Sequence, residues 1–153
     1  MKPPNQPGPV SPMKPAAVAR FRALATAVLV CYWLAMFGGT HWPNFTLRGY
    51  PQDTDKVLHV SAYAGLAFLI ALRLQLKRLG ATAEPLRLGS VSVRDGLWIL
   101  AFIVGCSIFD EVTQIPVGRT CDPFDAFADW AGGFFGLGAF AMLRRTLRRL
   151  SGE

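Results

Sequence analysis

The 153-residue chain is 52% hydrophobic and 17% charged, with fifteen glycines, eleven prolines and a formal net charge of +6. Its length excludes anything beyond one compact domain, and its composition is more apolar and less charged than that of an average soluble domain. Composition alone still admits a water-soluble core, so the arrangement of the apolar residues decides the class.

Residues 1–19 hold six prolines and no apolar run, and read as a disordered cytoplasmic tail. A membrane domain is predicted over 20–145, with four apolar spans at about 21–39, 57–76, 96–115 and 124–143. Each is close to the ~20 residues that cross a ~30 Å hydrocarbon layer at 1.5 Å per residue. The first span (FRALATAVLVCYWLAMFGG) resembles a signal peptide's core, but it is long and lacks a small-x-small cleavage site, so it is read as an uncleaved anchor. Residues 80–90 form a short cytoplasmic loop. The third span offers only GLWILAFIVGCSIF before Asp110, so it crosses only if its helix runs on through Glu111 and Gln114. The fourth (FDAFADWAGGFFGLGAFAML), like the first, is apolar around most of its circumference, where a soluble amphipathic helix keeps a charged stripe. Residues 146–153 are a basic cytoplasmic tail. The predicted class is therefore all-α: a polytopic membrane protein with four transmembrane helices in an antiparallel bundle.

Charge placement gives the orientation, because Lys and Arg accumulate in short cytoplasmic loops. Lys2, Lys14, Arg20 and Arg22 precede the first span, Arg73, Lys77, Arg78, Arg87 and Arg94 surround the second connection, and Arg144, Arg145, Arg148 and Arg149 close the last. Only Arg48, Lys56 and Arg119 lie on the other side, with Asp53, Asp55, Asp110, Glu111, Asp122, Asp125 and Asp129. Both termini are thus predicted to be cytoplasmic. The basic residues flank spans and suit anionic lipid headgroups, so membrane lipids are the expected partners and nucleic acid is not one.

Antiparallel crossing brings the start of the second span, the end of the third and the start of the fourth to one exoplasmic level. His59, Glu111 and Asp129 share that depth, and ionisable groups that converge inside a membrane point to a polar pocket. Helical spacing aligns Asp55, His59 and Tyr63 on one face, and pairs Asp110 or Glu111 with Gln114 on another. On the fourth span Asp122, Asp125 and Asp129 run into Gly132 and Gly136, a GxxxG face for close helix packing. Plainer roles compete at several positions. Asp122 before Pro123 reads as a helix cap, Asp53 and Asp55 as the same for the second span, and Arg119 as either a counter-charge or an anion contact. His41 beside Trp42 reads as interfacial. Cys31, Cys106 and Cys121 form no CxxC pair and no disulfide framework.

DKVLHVSAYAGL, then DEVTQ and IPVGR after a basic loop, then DAFADWAGGFFG, resemble the VanZ-like family in order and topology over roughly residues 30–140. The matching positions are Asp55, Lys56, His59, Tyr63, Asp110, Glu111, Gln114, Gly118, Arg119, Asp122, Asp125, Asp129, Gly132 and Gly136. Two features depart: Pro-Val-Gly-Arg stands for an adjacent Pro-Gly-Arg, and Asp129 stands where some members have Asn. The resemblance implies a multi-pass protein of the bacterial cytoplasmic membrane. It also implies a role like that of the family's namesake, which is associated with resistance to the glycopeptide teicoplanin.

The first functional reading is a binding or envelope-modulating protein that holds a lipid-linked or wall precursor, with Arg119 on an anion and the acids on a cation. Its predicted contacts are Lys56, His59, Tyr63, Asp110, Glu111, Gln114, Arg119, Asp122, Asp125 and Asp129, with Gly132 and Gly136 as packing residues. The alternative is a membrane-embedded enzyme in which His59 and Glu111 act as general base and acid. No cofactor is called for. No metal site is expected, and His59, Glu111, Asp125 and Asp129 are the residues that would ligate an ion if one were bound. No HExxH or GxSxG motif is present. A transporter would have to oligomerise to enclose a path, and the oligomeric state is not set by the sequence.

Overall fold

The structure is a computed structural model describing residues 15–42, 54–79, 91–118 and 121–150. Four helices account for nearly all of them: α1 (Pro15–Thr40), α2 (Thr54–Leu79), α3 (Val93–Gln114) and α4 (Pro123–Leu150), with a 3-10 turn at Ile115–Val117 between the last two. All four are long and apolar enough to cross a membrane. Of the tail expected at 1–19, residues 1–14 lie outside the described residues. Residues 15–19 are already helical, since Pro15 at the first helical position loses no hydrogen bond that the helix would make. At the other end α4 continues through Leu150 into the expected basic tail.

Local chemistry fixes the helix ends. Ser92 caps α3 through a capping box: its hydroxyl accepts from the Asp95 amide at 3.1 Å, and its own amide donates to Asp95 Oδ2 at 3.3 Å. At α4, Asp122 Oδ1 accepts from the Phe124 amide at 2.9 Å and Pro123 takes the first helical position. Helix α3 does run through Glu111 to Gln114, and stops where Pro116 and then Gly118, at φ 80°, force a turn.

The chain runs up, down, up and down, so α1 and α3 finish at the end where α2 and α4 begin. The most intimate contact is between α2 and α4, which run parallel. Small residues cause it. A Cβ on Gly132 would collide with the Val60 carbonyl, and one on Gly136 with the Ala64 carbonyl, so only glycine lets the two backbones approach this closely. Gly133, on the adjoining face, makes room for Ile103 of α3. Helix α1 lies outside this pair against α2, pinned where the Tyr32 hydroxyl donates to the Ala62 carbonyl at 2.8 Å, over Gly65. The core consists of Tyr63, Leu66, Ala67, Ala71, Ile99, Ile103 and Phe140, with Phe68 and Phe140 edge to face at 5.9 Å.

Outside this thin core the helices display Leu24, Leu34, Trp98, Phe102, Phe127, Phe134 and Phe135. Such a continuous apolar exterior is incompatible with water and suits lipid. The protein is an all-α four-helix membrane bundle, and its buried polar residues, Gln75 excepted, gather at one end.

Candidate functional site

At that end two buried polar networks meet. Asp110 and Glu111 are neighbours on α3, about 100° apart around the helix, so each serves a different one. Asp110 faces α1: its Oδ1 accepts from the Thr40 hydroxyl at 2.8 Å and its Oδ2 from the Gln114 amide at 3.1 Å. His41 joins this tie, with Nδ1 at 2.9 Å from the Phe37 carbonyl and 3.6 Å from Asp110 Oδ1, and Nε2 at 2.8 Å from the Thr113 hydroxyl. These contacts bind the last turn of α1 to the last turns of α3.

Glu111 faces the α2–α4 pair. Its Oε2 accepts from the Asp122 amide at 2.9 Å, which holds the start of α4 against α3. On α2, His59 places Nδ1 2.8 Å from Asp129 Oδ1, while Asp129 Oδ2 accepts from the Ser107 hydroxyl at 2.8 Å. With Asp129 ionised, His59 donates Nδ1–H to it, and Nε2 is the ring nitrogen that this bond leaves free. That nitrogen lies 3.9 Å from Asp125 Oδ2, beyond hydrogen-bonding distance. One turn before His59, Lys56 reaches Asp125 Oδ1 at 3.2 Å, Asp122 at 3.4 Å and Asp55 at 3.6 Å.

Burial separates these groups sharply. His59 is 6% exposed, Glu111 3% and Asp129 0%, whereas Lys56 and Asp122 are about one-third exposed. Glu111 Oε1 and the Tyr63 hydroxyl, both buried, have no hydrogen-bond partner among the described residues. An unsatisfied buried polar group costs about 1–3 kcal/mol, so two of them beside one cluster of ionisable groups are unusual. At the rim, the Phe124 amide and then Lys56 hold the Asp122 carboxyl below the ordinary carboxylate range. Desolvation and the Glu111 carboxylate push the neighbouring Cys121 thiol up, so it stays protonated at neutral pH.

The residues picked from the sequence therefore divide. Lys56, His59, Glu111, Asp122, Asp125 and Asp129 come together in one cluster. Asp110 and Gln114 belong to the α1–α3 tie, and Tyr63 lies one turn along α2 from His59. Asp122 is both the cap of α4 and a member of the cluster. Arg119 and Asp53 lie outside the described residues. Ser107, Thr40 and His41 were missed. Ser107 had a usable cue, since it precedes Glu111 by four residues and Gln114 by seven and so shares their face.

His59, Glu111 and Asp125 each bring a ligating atom within 4.8 Å of the others, which could hold a metal ion. The same imidazole, oriented by Asp129, could exchange a proton with a bound group. A separate apolar groove of about 420 Å³ runs along α3, lined by Trp98, Ala101, Phe102, Gly105, Cys106 and Phe109, the last of which precedes Asp110 in sequence.

No curated protein and no solved structure matches the chain. The profile of one family, VanZ/LLP1, matches residues 15–144, which takes in α1, α2, α3, most of α4 and every clustered acid. On that match, spanning most of a bundle whose helices are built for a membrane, this multi-pass membrane protein belongs to the VanZ/LLP1 family.

Proposed function

We propose that this protein binds the polar head of an amphiphilic envelope component, such as a lipid-linked or cell-wall precursor, at the exoplasmic end of the bundle. In this reading both termini face the cytoplasm, the protein sits in the bacterial cytoplasmic membrane, and its role is envelope modulation of the kind associated with glycopeptide resistance. The observation that carries it is one of placement. A cluster rich in buried acids occupies the end of a bundle whose flank carries an apolar groove rising to the same level. A lipid chain in the groove and a head at the acids would satisfy both features with one molecule. The acids favour an amine or another hydrogen-bond donor, and Arg119, next to them in sequence, supplies a contact for phosphate.

The alternative reading, a membrane-embedded enzyme, has its support in the His59–Asp129 pair, which fixes an imidazole tautomer as a general base requires. Native mass spectrometry of the full chain in mild detergent separates the two. The binding reading expects a co-purifying isoprenoid or anionic lipid whose occupancy falls at least several-fold in Arg119→Ala. Wild-type protein that carries no such lipid, or equal retention in the variant, overturns it.

A further inference from the structure

We infer that His59, Glu111 and Asp125 form a binding site for one divalent transition-metal ion of the zinc class, with Asp129 as the positioning residue behind the histidine. The inference concerns the ion alone and does not depend on which envelope component is bound.

Four observations support it. The three residues come from three different helices, yet each places a ligating atom within 4.8 Å of the other two. A tetrahedral zinc site with bonds of about 2.0–2.1 Å needs donors roughly 3.4 Å apart, so the set must close by little more than 1 Å, within reach of carboxylate side-chain rotation. Second, the donors are one imidazole nitrogen and two carboxylates, and the imidazole suits zinc better than magnesium or calcium. Third, His59 gives Nδ1–H to Asp129 at 2.8 Å, and Asp129 is itself held by Ser107 at 2.8 Å. A carboxylate behind the imidazole is the arrangement that orients metal-ligating histidines, and it leaves Nε2 for the ion. Fourth, Glu111 is 97% buried, and its Oε1 has no hydrogen-bond partner among the described residues.

Lys56 does not do the ion's work. It reaches Asp125 through Oδ1, and otherwise Asp122 and Asp55. It approaches the cluster from the rim, whereas Asp125 Oδ2 faces His59. The carboxylates of Glu111, Asp122, Asp125 and Asp129 surround one ammonium and one imidazole, so a doubly charged ion relieves repulsion that Lys56 alone leaves. Asp129, counted among candidate ligands from the sequence, is placed behind the histidine and not beside the ion.

The test uses full-length protein in mild detergent, stripped with a chelator and equilibrated with Zn2+ alone. Mass spectrometry of metal content should give one zinc per chain, and added Zn2+ should raise the unfolding temperature, because the ion ties three helices together. Glu111→Gln and His59→Gln should each weaken binding by at least tenfold. Asp129→Asn should keep the stoichiometry but weaken it by roughly 10–100-fold. Cobalt substituted for zinc should give a visible spectrum that is lost in His59→Gln and unchanged in His41→Gln. Metal-free helicity and unfolding temperature report whether each variant folds, and Asp125→Asn replaces Glu111→Gln if that one does not. Failure of wild-type protein to take up stoichiometric zinc overturns the site, and so does wild-type affinity in a folded Glu111→Gln or Asp125→Asn protein. Zinc uptake without a retained lipid leaves the ion and removes the proposed function. A retained lipid without zinc does the reverse.

Discussion

The two ends of the bundle carry opposite charge and use it in opposite ways. Where α2 and α4 begin, carboxylates are drawn inside, and Glu111, Asp110 and Asp129 each bond to a residue of another helix or of the connection between helices. Where those helices end, the Lys and Arg side chains stay largely outside. Arg78 meets Asp95 at 2.6 Å while half exposed, and Arg73 donates to Thr26. Lys77, Arg145 and Arg149 are exposed. Basic groups on long stems can keep their charge in water or among headgroups while their methylenes cover apolar surface. Short buried carboxylates have no such escape, so they are kept only where partners hold them. Charge is surface at one end and architecture at the other.

That architecture depends on helices approaching more closely than ordinary side chains allow. Gly136→Val is expected to have the largest effect, because its Cβ meets the Ala64 backbone, which cannot swing aside as a side chain could. Overpacking of this kind costs about 3 kcal/mol or more and should part α2 from α4, taking His59 away from Asp129. Gly138→Ala, with nothing within 4 Å of the added atom, is the matched control and should change stability by less than about 0.5 kcal/mol. Unfolding of both variants in mixed micelles measures the difference. Similar midpoints would mean that the glycine face does not hold the acidic end together.

The bundle was readable in the sequence because a membrane span is a contiguous signal. Length and hydropathy mark all four helices, and even the short third span resolved once its polar end was allowed to remain helical. Partnership across helices is a different kind of information. The sequence placed His59, Glu111 and Asp129 at one depth, but depth is a single coordinate. It does not tell that Asp110 turns to α1 while Glu111 turns to α4, since one residue of offset rotates a side chain by about 100°. Nor does it separate the His41 that meets Thr113 from an interfacial histidine, because Thr113 lies 72 residues away. Capping was legible at Asp122 because it is local. Its simultaneous contact with Lys56 was not, because that spans 66 residues.

The comparison of ends also predicts which one faces outward. Cys121 is exposed at the acidic end, and Val93 is exposed at the basic end. A membrane-impermeant maleimide added to intact cells should label Cys121, and should label a Val93→Cys, Cys121→Ser protein only after the membrane is opened. The rate carries a further sign. Because the folded protein raises the Cys121 thiol above its ordinary value, little thiolate is present at pH 7. Labelling should climb roughly tenfold per pH unit and keep climbing beyond pH 8.5, where an unshifted cysteine begins to level off. The reversed labelling pattern would invert the topology and place the acids in the cytoplasm.

The smallest effect is expected at Arg78. Its pairing with Asp95 is the shortest ion pair in the described residues, and distance alone would rank it as the strongest. Exposure argues otherwise: the Arg78 side chain is 52% exposed, so water competes for both partners and holding the long side chain in place costs entropy. Asp95 also keeps its capping bonds to Ser92 when the arginine is removed. Arg78→Ala should therefore cost less than about 1 kcal/mol, and the cost should shrink as salt shortens the screening length below ~10 Å. Equilibrium unfolding at low and high ionic strength measures it. A large, salt-independent loss would show that the basic end is built from buried charge as the acidic end is, and the contrast between the two would fail at its shortest contact.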